Sequence, residues 1–119
     1  MFRRTILLTL LAGLAGCATS RVSFPEVSVY GSSVVVDQLR RSTLEDGTVQ
    51  VNFGGRSEVS YARSARYRVL WYDDRAFPID TTVSAWNRFT LDGARPFEFV
   101  ATGPGARGKQ FKIELEVLR

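Results

Sequence analysis

Histidine is absent from the 119 residues. With it go the commonest general base, the commonest zinc ligand and every Ser-His-Asp or Cys-His arrangement. Lysine occurs only at Lys109 and Lys112, both in polar positions, so a serine or threonine nucleophile lacks an obvious amine to activate it. Cys17 is the only cysteine, which excludes an internal disulfide and marks the thiol as a modification site or an intermolecular partner. No apolar run approaches the about 20 residues that a helix needs to cross a bilayer. These absences remove most hydrolase and zinc chemistry, and the expectation is a protein that is not an enzyme and uses no cofactor or metal.

What is present is ordinary globular composition, 45% hydrophobic and 24% charged, in a length that suits one domain. Met1 to Gly16 has the three-part plan of a secretory leader: Arg3 and Arg4, then an apolar run from Ile6 to Leu14, then small residues. Leu14-Ala15-Gly16-Cys17 resembles the bacterial lipobox, which directs lipid to the thiol and cleavage before it. The resemblance implies cleavage between Gly16 and Cys17, a diacylglyceryl group and an N-acyl chain on Cys17, and so an anchor of several chains. Ala18 stands where lipoproteins retained in the inner membrane often carry aspartate, which points to the outer membrane, with the protein facing the periplasm. The expected organisation is therefore a signal peptide over residues 1–16, a lipidated cysteine and short polar tether over 17–26, and a domain over 27–119. Loss of Arg3 and Arg4 with the leader lowers the formal charge from +4 to +2, too little to draw in nucleic acid.

Beyond Val27 the apolar residues alternate with period two, and turn residues interrupt them about every ten positions. Val34-Val35-Val36 marks a first strand, Glu45-Asp46-Gly47 a turn, and Thr48 to Phe53 a second strand that Gly54-Gly55 ends. Tyr67, Val69 and Trp71 share one face of the next strand and Arg66 and Arg68 the other. Asp73-Asp74-Arg75 turns the chain. Thr81 to Ser84, Trp86 to Leu91 and Phe97 to Ala101 follow as strands. In the last, Phe111, Ile113, Leu115 and Val117 alternate with Lys112, Glu114 and Glu116. The fold class is all-β: an immunoglobulin-like antiparallel β-sandwich of about seven strands, with Trp71 filling the inter-sheet space by size where immunoglobulin domains use a disulfide. An open barrel is the alternative. Tyr67 to Asp73, then Trp86 with Phe89, Leu91 and Gly93, then Ala101 to Pro104 and the Phe111 strand resemble the YcfL family of small bacterial lipoproteins. That resemblance implies the fold and the envelope address and carries over no catalytic residues.

Four groups of residues invite a functional assignment. Gly103-Pro104-Gly105-Ala106-Arg107-Gly108 matches G-x-G-x-x-G, but a dinucleotide site needs a helix after it and here a strand follows, so a hairpin connection is expected. Asp73 and Asp74, with Asp80 near, read as a solvated turn rather than a metal or glycosidase pair, since no spacing sets a second acid opposite the first. Trp71 is assigned to the core, while Trp86 is open between core and surface. Arg56, Arg63, Arg66 and Arg68, interleaved with Tyr61 and Tyr67, form the one basic and aromatic concentration. They either grip carboxylates or phosphates of a partner or lay their stems over apolar surface.

The resulting expectation is a lipid-anchored, non-catalytic interaction module that binds another envelope protein through an exposed sheet edge or the arginine face. A binder of peptidoglycan or anionic glycolipid through the arginines is the alternative. Replacement of Cys17 by serine should leave an unlipidated protein with an uncleaved leader that departs from the outer-membrane fraction, and an intact mass equal to that of the wild-type mature protein would refute the lipoprotein assignment.

Overall fold

The computed structural model describes residues 24–80 and 84–118. The expected leader, Gly16 and Cys17 at its cleavage site, and most of the tether lie outside the described residues. Phe24 already belongs to the domain: its carbonyl accepts the Val27 N–H at 3.1 Å, and its ring packs on a core cluster of Val34, Val36, Ala65, Leu91 and Leu115.

Period-two alternation produces strands that each bury one face. Eight are described: β1 (Val27–Tyr30), β2 (Val34–Thr43), β3 (Val49–Ser57), β4 (Arg63–Tyr72), β5 (Pro78–Ile79), β6 (Asn87–Leu91), β7 (Pro96–Thr102) and β8 (Gln110–Val117). They form two sheets. In one, β1, β8 and β4 are neighbours in that order, and β5 and β6 both pair with the far edge of β4. The other runs β2, β3, β7. Between them lies the main core of Val49, Val51 and Phe53 from β3, Val69 and Trp71 from β4, and Phe111 and Ile113 from β8. Each of these side chains contributes roughly 1.5–3 kcal/mol through burial. The expected all-β sandwich is therefore the observed one, with the alternating residues of β4 and β8 facing as the sequence indicates.

Three details depart from the expectation. First, one pairing is parallel: β1 lies alongside β8 with Val27 opposite Ile113 and Val29 opposite Leu115. After β1 the chain crosses at once to the other sheet, so no hairpin ties β1 to β8 and nothing imposes an antiparallel direction. Second, a short strand not foreseen, β5, forms at Pro78–Ile79; of the expected strand from Thr81 to Ser84, residues 81–83 lie outside the described residues and Ser84 is not in a strand.

Third, Gly54-Gly55 does not end its strand. β3 continues through both glycines to Ser57, opposite a β-bulge in β2 where the register shifts between Val36 and Gln38. The glycines are needed because the neighbours close in on both sides. A Cβ on Gly55 would fall on the Val35 carbonyl oxygen, and one on Gly54 would lie 2.6 Å from the Phe97 carbonyl oxygen. A bulge adds local twist, and here the absence of a side chain lets the twisted strands pass. Gly55→Ala should therefore lower the free energy of unfolding by about 3 kcal/mol. Urea titration checks this, and a loss below about 1 kcal/mol would show that β2 can move aside.

Candidate functional site

The four arginines singled out in the sequence occupy three separate places. Arg56 points outward from β3 on the three-stranded sheet and pairs at 2.9 Å with Asp37, the bulged residue of β2. Both side chains are well exposed, so this pair contributes well under about 1 kcal/mol.

Arg63 shares the inward parity of Ala65 and reaches across the end of the sandwich. Its guanidinium donates to the Ser32 and Ser33 carbonyls, each at 2.9 Å, and to the Ser57 hydroxyl at 2.8 Å. Ser33 has φ 60°, a left-handed conformation uncommon for a side chain with a Cβ. Arg63 thus clamps the strained β1–β2 connection to the ends of β3 and β4. That makes it a structural residue, and the expectation that it shares a binding face with the other arginines is overturned because its side chain lies on the opposite face of β4 from Arg66 and Arg68.

Arg66 and Arg68 do stand together, on the outer face of the five-stranded sheet. Register places Arg66 opposite Glu116 and Arg68 opposite Glu114 of β8, and the Nε atoms reach those carboxylates at 2.9 and 2.6 Å. From the other side Trp86, just before β6, lies over both guanidiniums, with Cζ to ring-centroid distances of 4.1 and 4.4 Å. Tyr30 of β1 donates to the second oxygen of Glu114 at 3.3 Å. A continuous row results: Tyr30, glutamate, arginine, tryptophan. The arginines are each about one-third exposed. Each ion pair therefore contributes under about 1 kcal/mol and each cation–π contact about 1 kcal/mol, but together they hold Trp86 flat on a charged surface. The question of Trp86 resolves to the surface, and that of Trp71, 1% exposed, to the core.

Further along the same face, Leu70 and Tyr72 of β4 with Pro78 of β5 line a mostly apolar cleft of about 330 Å³ that Asp80 and Ser84 also border, and the inward-facing pair Trp71 and Ile79 closes its inner side. Lys112 lies 5.7 Å from the centre of the Tyr72 ring. Two more polar concavities of about 460 and 310 Å³ flank the β2 bulge and share Asp37, Gln38 and Glu98.

The remaining candidates are structural. Gly103 and Gly108 let the β7–β8 connection lie against Trp71: an added Cβ would come within 3.1 Å of the indole at Gly103 and within 2.9 Å of Pro104 at Gly108. Gly105 supplies a turn at φ +105°. Asp73 caps its own turn, one carboxylate oxygen accepting the N–H groups of Arg75 and Phe77, both at 2.9 Å. Asp46 does the same for the β2–β3 hairpin, and the Thr48 N–H holds its pKa below the usual carboxylate value. Burial against Phe53, Phe89 and Phe99 pushes the Tyr67 phenol up. Among the described residues no acidic or cysteine cluster is arranged to hold a metal.

Sequence reasoning passed over Tyr30, Glu114 and Glu116 as site residues. The signal was present as basic outward positions on one strand and acidic ones on another, but it acquires meaning only once β4 and β8 are known to be neighbours. The separate roles of the arginines predict separate effects. Arg63→Ala should cost about 2 kcal/mol of stability through lost charge-assisted hydrogen bonds, and Arg56→Ala no more than about 0.5 kcal/mol. Equal denaturation midpoints for the two variants would contradict the clamp.

The sequence model of the DUF1425 family, described as protein of unknown function, matches residues 24–117. Among solved structures, the Campylobacter jejuni protein Cj0090 is similar, with a TM-score of 0.66 and 17% identity, covering 80% of this chain and 100% of that one. A DUF1425 family member from Shewanella sp. is similar with a TM-score of 0.62 and 18% identity, covering 69% of this chain and 75% of that one. At such identities these structures speak for the fold alone. No curated protein matches the chain in sequence.

Proposed function

The chain belongs to the DUF1425 family, and from that starting point we propose that it is a non-catalytic interaction module of the bacterial envelope, anchored to the outer membrane by lipid on Cys17 and docking another envelope protein. The lipobox-like Leu14 to Cys17 supports the anchor, as does the resemblance to YcfL-type lipoproteins, which is compatible with the family. The observation that carries the docking function is Trp86 laid flat over Arg66 and Arg68. Tryptophan, tyrosine and arginine are the residues in which the energetic centres of protein interfaces are richest. Here they are held in place before any partner arrives, so little side-chain entropy remains to be lost on binding.

The alternative of an anionic polymer gripped by four converging arginines has lost its geometry, since Arg56 and Arg63 point elsewhere. What remains on this face is a mixed surface whose arginines already have acidic neighbours, which suits a protein surface better than a uniformly charged chain. Peptidoglycan or glycolipid is retained as a measurable outcome. With a photo-crosslinking amino acid at Thr90, which shares the outward parity of Arg66 and Arg88, intact cells should yield an adduct with one envelope protein. Trp86→Ala should reduce that adduct by about tenfold, as removal of an interface centre does, while costing no more than the about 2 kcal/mol of its two cation–π contacts, so that the domain stays folded. Adducts to lipid or glycan only, or a protein adduct indifferent to Trp86, would refute the proposal.

A further inference from the structure

The pairing of β4 with β6 places Arg88 directly opposite Arg66. Like charges directly opposite each other on adjacent strands are destabilising, and the two arginines are not relieved equally. Arg66 is ion-paired to Glu116 on its other side and covered by Trp86. Arg88 is exposed and makes no ion pair among the described residues. The row across the sheet therefore runs carboxylate, guanidinium, guanidinium, and ends on an unmatched cation. Of the cations on the outer face, Arg66 and Arg68 are ion-paired to Glu116 and Glu114, while Arg88 and Lys112 make no ion pair among the described residues.

On the same face the apolar cleft opens at Leu70 and Tyr72. Leu70 is four residues along β4 from Arg66, about 13 Å at the usual strand rise. An anionic glycan would satisfy the cation and leave the cleft unfilled, whereas a polypeptide can supply both an apolar side chain and a carboxylate at that separation.

We infer that this face recognises an acidic protein segment, with an Asp or Glu completing the charge row at Arg88 and Arg66 and an apolar side chain about 13 Å away seated against Leu70, Tyr72 and Pro78. A guanidinium presents paired donors in a plane that matches a carboxylate. Arg88 can present such a pair to an incoming group without breaking an existing ion pair, whereas Arg66 is already engaged. The inference rests on the docking function proposed above and specifies the chemistry of its partner.

The test uses the full-length protein in living cells, with photo-crosslinking amino acids placed in turn at Leu70 and Thr90 and the adducts mapped to residues by mass spectrometry. Both positions should capture the same protein, and the Thr90 adduct should map within a few residues of an Asp or Glu. Arg88→Glu should lower the Thr90 adduct by about tenfold or more, in line with the coupling of close interfacial charges, and Arg88→Lys should lower it much less. Reversing the mapped acid to Arg in the partner should restore the adduct to Arg88→Glu. Arg88 is solvent-exposed, and a melting temperature no lower than that of the wild type shows that the variants remain folded.

If Leu70 captures a protein but Arg88→Glu changes nothing, or the captured segment carries no acid, acidic recognition is overturned while docking on this face survives. Adducts confined to glycan or lipid, or none at either position, overturn both.

Discussion

Trp71 is the side chain on which the two sheets are hung. Its indole meets Phe111 from the next strand at a ring separation of 6.0 Å, belongs to the same cluster as Val49 and Val51 of the opposite sheet, and is roofed by the glycines of the β7–β8 connection. A small sandwich without a disulfide must fill its inter-sheet space with volume, and a tryptophan at close to zero exposure does so while binding three parts of the chain to one ring. Its indole nitrogen is buried without a hydrogen-bond partner. This costs about 1–3 kcal/mol, offset by the packing of so large a ring.

From Trp71 the outer face follows by parity. Because side chains alternate along a strand, the residues that fix β4 in the core at Ala65, Val69 and Trp71 also fix Arg66, Arg68, Leu70 and Tyr72 on the opposite side. A register slip of one residue would bury the arginines and expose the indole, so the core holds the register and the register holds the face. β8 does the same with Ile113 and Leu115 inside and Glu114 and Glu116 outside. The ion pairs between these strands contribute little to stability by comparison and are better understood as alignment: they straighten two arginines so that Trp86 has a surface to lie on.

This division explains what was legible in the sequence. The period of two in β4 and β8 reveals which residues turn inward, and the size and setting of Trp71 reveal a core residue, because both are local properties. The fate of the four arginines was not legible. Arg63 and Arg66 are three positions apart and so fall on opposite faces, yet the sequence cannot show that Arg63 stands at the end of the strand, where an inward arginine reaches the carbonyls of Ser32 and Ser33 instead of being buried. Arg56 lies in the other sheet altogether. Gly54-Gly55 misled for a related reason. Glycines at the end of an apolar run normally mark a stop, and only the bulge on the neighbouring strand shows that they mark a crowded passage. Contacts between residues distant in sequence decide each of these cases.

Arg88 is where the two levels meet. Its place on β6 is set by Phe89 and Leu91, which turn inward onto the aromatic cluster and the second core, so the strand cannot slide to separate Arg88 from Arg66 without surrendering that packing. An exposed arginine beside another is a small electrostatic cost that a sequence could remove with almost any neutral residue, since nothing in the fold requires a positive charge there. The acidic side of the row is filled at Glu114 and Glu116, where it aligns β8 with β4, and Arg88 is left without an ion pair among the described residues. The same rigidity that fixes this open cation also fixes its separation from the apolar cleft, and a surface with two anchor points at a constant distance discriminates among partners through geometry as well as charge.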